Sequence, residues 1–194
     1  CSVFPLINPC VQSDPFKKIA AHELASLLSD PSSHPYDIIL ILDARYRYEY
    51  RGGRIKGAKN VISLQQMISI YERYLHQNVC IVFHCEFSSE RGPNLMRKFR
   101  DYDRKVNQKS YPEINYPFIY LLEGGYARFY QEFPELCEGG YIPMSNQNSI
   151  ENGELRESHS AYVREMSDNR RYIRVPFKKA RSQSTQSMEL FTLN

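Results

Sequence analysis

The stretch "VCIVFHCEFSSERGP", Val79–Pro93, puts a cysteine and an arginine between an apolar run and a stretch with helical periodicity. The run Val79–Phe83 is typical of a strand buried on both faces, as in a parallel sheet. Residues 91–106 are predicted to form the helix that follows. In open α/β sheets this order places the loop at the carboxyl edge of the strands, where ligands bind. The stretch therefore predicts an α/β fold with a functional site in the loop.

Strands and helices alternate through the rest of the middle of the chain. Apolar runs predict two further buried strands, and apolar residues at three- and four-residue spacing predict the helices between them. The predicted strands are Ile38–Leu42 and Ile119–Leu122, and the predicted helices cover residues 19–28, 64–75 and 126–131. Residues 45–60, dense in charge and glycine, are predicted to be loop with at most short structure. The alternation predicts a mainly parallel central sheet flanked by helices.

The chain divides into three predicted parts. Residues 1–18 contain three prolines and little periodicity, so we expect an irregular N-terminal segment. Residues 19–144 form the predicted α/β domain. Residues 145–194 are rich in Ser, Asn, Gln, Glu and Arg, which predicts a tail with one helix near Ser160–Tyr172 and disorder toward the end. Because the chain begins at Cys1 with neither an initiator methionine nor a leader, we expect a fragment of a longer protein.

Composition and charge exclude several classes of protein. The chain has 194 residues, 42% of them hydrophobic and 24% charged, and its net charge of +3 is too small for bulk nucleic-acid binding. The longest apolar runs have five residues, whereas a membrane-spanning helix needs roughly 20. Five cysteines without a C-x-x-C pair predict a reducing intracellular compartment and argue against a metal site. We expect no membrane, nucleic-acid or metal partner, and a monomer located in the cytoplasm and nucleus.

Cys85 is the one cysteine of the five that is followed six residues later by an arginine, Arg91. A loop that curls over the start of the helix would point its backbone N–H groups inward, forming a nest for a tetrahedral oxyanion such as phosphate. The predicted phosphate-binding residues are Glu86, Phe87, Ser88, Ser89, Glu90 and Arg91. The same positive environment favours a thiolate, so Cys85 is predicted to be a nucleophile at neutral pH.

Arg91 is predicted to hold two oxygens of a phosphoryl group, because its planar guanidinium forms paired hydrogen bonds that lysine cannot copy. Gly92 is expected to let the helix start close to the loop. The alternative is a structural role for both residues, with a buried cysteine beside a surface arginine. His84, the last residue of the strand, points away from Cys85, and we interpret it as a structural hydrogen-bonding residue rather than a general base.

Over about residues 15–144 the chain resembles the catalytic domain of the M-phase inducer phosphatases, the cell-division-cycle dual-specificity phosphatases of rhodanese-like fold. The resemblance rests on four blocks in the same order. They are "ILDARYRYEYRGGRIKGAKNV" (Ile41–Val61), "HCEFSSERGP" (His84–Pro93) followed by "RKFRDYDR" (Arg97–Arg104), "YPEINYPFIYLLEGGY" (Tyr111–Tyr126) and "FPELCEGGYIPM" (Phe133–Met144). The resemblance implies a rhodanese-like domain.

The resemblance also implies an activity. It is the removal of phosphate from phosphothreonine and phosphotyrosine of cyclin-dependent kinases, which promotes entry into mitosis, so a phosphorylated cyclin-dependent kinase–cyclin complex is the expected partner. Cys85 would form a phosphocysteine intermediate and Arg91 would bind the phosphoryl group, without metal or organic cofactor. The family lacks an obvious general acid. Our candidate is Glu90, with Asp43 a weaker one, and a substrate that supplies its own proton would need neither.

One position departs from the family pattern. Where the family usually has a second cysteine after the strand aspartate, this chain has Ala44, so the disulfide that protects an oxidised nucleophile cannot form there. Cys80 is a poor substitute, because five residues of extended strand span about 16 Å and an odd separation puts the two side chains on opposite faces. We therefore expect oxidised Cys85 to proceed more readily to irreversible forms.

The helix after the loop carries a basic face. Arg97, Arg100 and Arg104 lie within about 60° of one another at about 100° per residue, and apolar residues occupy the opposite side. Most such faces are simply solvated. The positions of Arg100, Arg104 and Tyr111, however, resemble the family's remote docking site for the kinase, so we predict a docking surface here.

The tail contains a basic segment, Asn169–Arg181, and the sequence "RSQST", Arg181–Thr185. In the family, basic tail residues can assist substrate binding or nuclear import. The serine-containing segment suits phosphorylation and binding of a phosphoserine-recognising adaptor. Solubility alone is the simpler explanation for both.

Three other functions compete with a phosphatase. Arsenate reductase on the same scaffold is the main enzymatic alternative, since arsenate resembles phosphate, but it normally needs a further resolving thiol. A non-catalytic rhodanese-like binding module would commonly lose Cys85 or Arg91, and both are present. A sulfurtransferase of the rhodanese type usually has a shorter loop between cysteine and arginine than the five residues found here.

Overall fold

The predicted unit of strand, loop and helix is present in the computed structural model, which describes residues 16–167. The strands of this part of the chain are β1 (Lys18–Ile19), β2 (Ile38–Asp43), β3 (Gly53–Ile55), β4 (Lys59–Asn60), β5 (Val79–His84), β6 (Ile119–Leu122) and β7 (Cys137–Gly139). The α-helices are α1 (Ala21–Ser29), α2 (Arg47–Gly52), α3 (Leu64–Arg73), α4 (Arg91–Val106), α5 (Gly125–Glu132), α6 (Gln147–Glu151) and α7 (Glu154–Ser167). Their order confirms the α/β architecture.

Five strands form one parallel sheet in the order β1-β6-β5-β2-β4. At its centre β2 and β5 pair over their full lengths, from Ile38 opposite Val79 to Asp43 opposite His84. Strand β5 is buried along its whole length, as parallel strands covered by helices are. Because β2 and β5 end at the same edge, the segments that follow them start side by side. The prediction of a mainly parallel sheet is confirmed.

Alternate side chains of β5 enter two separate hydrophobic clusters, one on each face of the sheet. Ile81 and Phe83 pack with residues of α3 and α4. Cys80 and Val82 pack with residues of α1 and α5. Cys85 belongs to the first cluster, so it lies on the opposite face from Cys80, as the alternation of a strand predicts.

The sequence pattern does not reveal the shortest strands. Strand β1, at the end of the segment expected to be irregular, adds to the edge of the sheet beside β6. Strands β3 and β7 form a separate antiparallel pair, and β4 extends the sheet beside β2. Strands of two or three residues are too short to show a period, so only pairing with a neighbour defines them.

The tail begins with α6 and α7, and α7 packs on the domain. It starts at Glu154, earlier than the predicted helix near residue 160, and is described as far as Ser167. Tyr162 and Met166, one helical turn apart, contact the cluster that contains Cys85. The part of the tail that the structure describes therefore packs on the same hydrophobic cluster as Cys85, the first residue of the loop after β5.

Several predictions lie outside the described residues. These are the irregular character of residues 1–15, the end of the predicted tail helix after residue 167, the basic segment Asn169–Arg181 and the adaptor segment Arg181–Thr185, which all stay predictions. Among the described helices, none combines the length and the hydropathy that crossing a membrane requires.

The carboxylate of Asp103 ties helix α4 to its neighbours. It is fully buried and accepts hydrogen bonds from α3, from α4 itself and from the segment before β6. The donors are the Tyr71 hydroxyl at 2.9 Å, Arg100 Nη1 at 2.9 Å, Asn107 Nδ2 at 3.0 Å, and the backbone N–H groups of Asn115 at 2.9 Å and Tyr116 at 3.2 Å. A buried carboxylate is tolerated only when such partners satisfy its oxygens.

We expect Asp103→Asn to lower the free energy of unfolding by about 3 kcal/mol, because an amide removes the charge and points its own donors at groups that donate. Urea unfolding followed by circular dichroism measures the change. Asp101→Asn, at an exposed position of the same helix, is the matched control and should stay within about 0.5 kcal/mol of the unaltered chain. Equal stability of the two variants would contradict this account of Asp103.

Candidate active site

The loop after β5 begins with a buried cysteine against which α4 starts. Cys85 is 3% exposed. A Cβ atom at Gly92 would lie 3.1 Å from the carbonyl carbon of His84 and 3.2 Å from the backbone nitrogen of Cys85. Those separations are tighter than ordinary van der Waals contact. The lack of a side chain at Gly92 therefore lets α4 begin directly beside Cys85, as the sequence predicted.

The backbone N–H groups of residues 86–91 form a set of free donors. Within residues 16–167 no other group accepts a hydrogen bond from them. Ser88 has φ 55°, the left-handed conformation that bends a loop sharply, and its buried Oγ has no hydrogen-bond partner in the described part of the chain. The side chains of Phe87 and Ser89 are exposed. Free N–H groups at the start of a helix suit a tetrahedral anion.

Arg91 is buried beside this loop and is held by two residues that precede it in the chain. Its Nη1 donates to Glu49 Oε2, and its Nη2 donates to Glu49 Oε1 at 3.2 Å. The ring of Tyr46 covers the guanidinium, with 4.5 Å between the ring centroid and Cζ, a cation–π contact. Burial raises the pKa of the Glu49 carboxyl, and the hydrogen bonds from Arg91 act in the opposite direction. The guanidinium is thus fixed by an ion pair and by an aromatic face.

Glu49 was not among the predicted site residues, because it lies in the charged stretch 45–60. A local signal exists: Glu49, third residue of α2, accepts a hydrogen bond from the backbone nitrogen of Tyr46 at 2.9 Å, as in a capping box. That pattern predicts where a helix starts and says nothing about Arg91. The pairing of β2 with β5 brings Glu49 and Arg91 together.

The two glutamates of the loop have different surroundings. The Glu86 carboxylate is buried and accepts hydrogen bonds from the Tyr141 hydroxyl at 2.6 Å and the Met144 backbone nitrogen at 3.3 Å, with Arg91 Nη2 at 3.9 Å. Its side chain is therefore structural, and its backbone N–H remains for an anion. Glu90 is exposed at the N-cap of α4, where its side chain makes no capping hydrogen bond. Its carboxyl is accessible, as proton transfer requires.

Asp43 is excluded as the alternative general acid. Its carboxylate is fully buried at the end of β2, and Arg45 Nη2 lies 2.7 Å from Oδ2. Burial acts to raise the pKa of Asp43, but His84 and Arg45 outweigh it, so the pKa is lowered. A buried, ionised carboxylate in an ion pair has no proton to donate, and the sequence-based suggestion of Asp43 is wrong.

His84 lies on the opposite face of β5 from Cys85. It is fully buried, its Nδ1 is 3.2 Å from the carbonyl oxygen of Cys85, and its ring stacks on Tyr126 at a centroid distance of 6.3 Å. Burial lowers the pKa of His84, while Asp43, whose Oδ2 lies 3.8 Å from Nε2 of His84, acts to raise it. This placement agrees with the structural role predicted for it.

The three predicted docking residues border one groove of about 530 Å³. Arg100 and Arg104 line it from α4, and Tyr111, 85% exposed, lines it from the loop before β6. Arg100 also donates to Asp103 at 2.9 Å, whereas Arg104 is exposed. At about 1.5 Å per residue, Arg104 is about 20 Å along α4 from Arg91. The groove and the loop therefore occupy different parts of the same helix.

A model of the rhodanese-like domain family matches residues 20–132, more than half of the chain. The chain belongs to the rhodanese-like domain family. The matched residues include the loop after β5 and end before α6 and α7. The rhodanese-like architecture predicted from the sequence is confirmed.

Curated relatives of this rhodanese-like domain are M-phase inducer phosphatases. Human M-phase inducer phosphatase 3 is 37% identical over 172 residues, which cover 78% of this chain and 36% of the relative. M-phase inducer phosphatase 1-B of Xenopus laevis is 42% identical over 137 residues, 67% of this chain and 24% of the relative. The Schizosaccharomyces pombe M-phase inducer phosphatase is 36% identical over 146 residues, 73% of this chain and 24% of the relative. This chain is therefore similar to one part of each of these phosphatases. The chain spans about a third or less of the length of these relatives.

A solved structure supports the same rhodanese-like fold. The As-Sb reductase from Leishmania major superposes with a TM-score of 0.50 at 22% identity, covering 65% of this chain and 87% of that one. At this level of identity the likeness concerns the fold alone.

Ala44 lies beside Cys85 at the carboxyl edge of the sheet. Its N–H donates to the carbonyl oxygen of His84 at 2.8 Å, which continues the pairing of β2 with β5. Adjacent strands lie about 4.8 Å apart, within the range of about 4.4–6.8 Å that Cα atoms joined by a disulfide span. Cys80 and Cys137 pack on the other face of the sheet, and burial raises the pKa of Cys80 to about 12 and that of Cys137 to about 11.

In this rhodanese-like domain we expect peroxide to oxidise Cys85 irreversibly, because the other cysteines of residues 16–167, Cys80 and Cys137, cannot reach its sulfenic acid and Ala44 has no thiol. Mass spectrometry of the Cys85 peptide after peroxide and then dithiol should find mainly sulfinic and sulfonic acid. In Ala44→Cys the Cys85 thiol should mostly be recovered. Ala44→Ser is the matched control and should behave like the unaltered chain. Complete recovery in the unaltered chain after prolonged peroxide treatment would refute the expectation.

Proposed function

We propose that this chain is a cysteine-dependent, dual-specificity protein phosphatase that removes phosphate from phosphothreonine and phosphotyrosine of cyclin-dependent kinases. The observation that carries the proposal is the loop 85–91, which combines a buried thiol, backbone N–H groups without a partner in residues 16–167, and an arginine held by Glu49. Similarity to M-phase inducer phosphatases of human, frog and fission yeast supports the class of reaction and its place in cell-cycle control. The substrate is a phosphorylated kinase bound to its cyclin.

The reaction has two displacements at phosphorus. In the first, Sγ of Cys85 forms a bond to phosphorus while the bond from phosphorus to the substrate oxygen breaks. The N–H groups of residues 86–91 and the Arg91 guanidinium hold the other phosphoryl oxygens and stabilise the charge of the transition state. In the second, water attacks the phosphocysteine, which releases inorganic phosphate and restores the thiolate.

Glu90 is the proposed proton donor to the departing substrate oxygen. It is an accessible carboxyl at the start of α4, whereas the Glu86 carboxylate is already occupied by Tyr141 and Met144. The proton that Glu90 loses in the first displacement is recovered from the water that attacks in the second. A substrate phosphate that carries its own proton would make this step independent of Glu90.

On a kinase–cyclin complex phosphorylated on both threonine and tyrosine, we expect Cys85→Ser to lose activity on the order of 10³-fold or more, since a hydroxyl in this loop is a far weaker nucleophile than a thiolate. Release of inorganic phosphate is the measurement. Cys137→Ser, which alters a thiol on the other face of the sheet, is the control and should keep its activity. Equal rates for Cys85→Ser and the unaltered chain would end the proposed mechanism.

The competing functions have less support. A reductase acting on arsenate needs a resolving thiol, and the described cysteines other than Cys85 lie on the opposite face of the sheet. A sulfurtransferase is disfavoured by the length of the loop, and a non-catalytic module has no use for the thiol and arginine retained here. Assays of arsenate reduction and thiosulfate transfer beside the phosphatase assay distinguish these possibilities.

We also propose that the groove bordered by Arg100, Arg104 and Tyr111 docks the kinase. Its basic side chains suit an acidic partner surface, which charge complementarity would orient. Its separation from Arg91 along α4 lets the kinase body be recognised apart from the phosphorylated side chain. Arg104 is the more informative residue, because Arg100 also stabilises the buried Asp103.

We expect Arg104→Ala to lower kcat/KM on the phosphorylated kinase–cyclin complex by roughly tenfold, because it removes a charge from the docking surface. Turnover of a small aryl phosphate should change by less than about twofold, since that substrate does not reach the groove. Lys109→Ala, at another exposed basic position, is the control for net charge. Equal losses on both substrates would show that Arg104 acts on the chemistry rather than on docking.

A further inference from the structure

Helix α7 reaches the catalytic loop although it lies beyond residues 20–132, which the family model matches. One face of the helix carries His159, Tyr162 and Met166. Met166 is buried in the cluster that contains Cys85, and this anchors the helix. The other two residues contact groups beside Arg91.

Both contacts converge on Tyr46. Its hydroxyl lies 2.9 Å from His159 Nδ1. The Tyr162 ring meets the Tyr46 ring edge-on, with centroids 6.1 Å apart and planes at 72°. The Tyr162 hydroxyl in turn accepts a hydrogen bond from Asn94 Nδ2 at 3.0 Å, which ties α7 to the second turn of α4. Tyr46 is thus held at its hydroxyl and at its ring, and its buried face covers Arg91.

The guanidinium of Arg91 needs a support of this kind. Glu49 binds two of its nitrogens and fixes one edge, but an edge contact leaves the plane free to tilt. The Tyr46 ring, whose centroid lies 4.5 Å from Cζ of Arg91, limits that freedom. Paired hydrogen bonds to a phosphoryl group depend on the plane being aimed correctly.

We propose that Tyr46 is a positioning residue of the active site and that helix α7 acts through it, with His159 and Tyr162 holding the ring that orients the Arg91 guanidinium toward the oxyanion. The inference deepens the proposed function and rests on it. It extends the active site beyond the part of the chain that the rhodanese-like family model matches. The simpler possibility is that Tyr46 is only a core aromatic residue, in which case its loss would lower stability without altering anion binding.

Tungstate, a tetrahedral oxyanion, separates the two possibilities when its dissociation constant is measured by calorimetry on the full chain. We expect Tyr46→Leu to raise that constant roughly tenfold, because the guanidinium of Arg91 would no longer be held in the orientation that its paired hydrogen bonds to the anion need. Tyr46→Phe keeps the ring over Arg91 and should restore most of the affinity. Tyr50→Leu is the matched control, because Tyr50 lies in α2, the helix that Tyr46 caps, and has its own contact with an arginine, Arg54, at 5.0 Å, away from the site.

The contribution of α7 is tested in the same way. Tyr162→Leu should weaken tungstate binding by roughly threefold, since it removes the edge-on contact that holds Tyr46. Val163→Ala, at an exposed position of the same helix, should leave it unchanged. Equal effects of Tyr46→Leu and Tyr50→Leu, or no binding of tungstate by the unaltered chain, would overturn the inference. Tungstate binding without hydrolysis of phosphorylated substrates would instead refute the proposed function and leave the positioning result standing.

Discussion

The ion pair between Arg91 and Glu49 is the contact on which the candidate active site depends. Both groups are buried, and removing one partner of such a pair leaves an uncompensated charge that costs about 3–5 kcal/mol. Arg91 starts α4 and Glu49 lies in α2, so the pair also joins the segments that leave β5 and β2. The register of those two central strands, with Asp43 opposite His84, sets the distance that the pair must span.

Two carboxylates close to Arg91 reduce the net positive charge that the site offers to an anion. Glu49 binds Arg91 directly, and the Glu86 carboxylate lies 3.9 Å from the same guanidinium, so the arginine is largely neutralised by the protein. Attraction of a phosphate dianion then depends on the free N–H groups of residues 86–91 and on the positive end of α4. Arg91 contributes direction more than net charge, which is why the groups that fix its plane matter.

Helix α4 connects the candidate active site with the groove that Arg100 and Arg104 line. Its first turn follows the loop directly, and the hydrogen bonds to Asp103 anchor the second half of the helix. Arg104, on its basic face, lines the groove. Asp103 links the core to the groove, because Arg100, which lines the groove, donates to it. Under the proposed function, α4 would hold the docked kinase at a fixed distance from its phosphorylated side chain. Helix α7 contacts Tyr46 beside the loop.

The sequence by itself determined the strand, loop and helix of Val79–Pro93, the parallel sheet, the position of Cys85 and Arg91, and the close start of α4 at Gly92. These features follow from local periodicity and from residue types that a nearby backbone requires. Only the tertiary structure decided that Asp43 is buried and unavailable, that Glu86 is turned inward while Glu90 is exposed, and that Glu49, Tyr46 and α7 support Arg91. Those facts depend on contacts between segments far apart in the chain, and on burial, which changes the cost of a charge and has no local signature in the order of the residues.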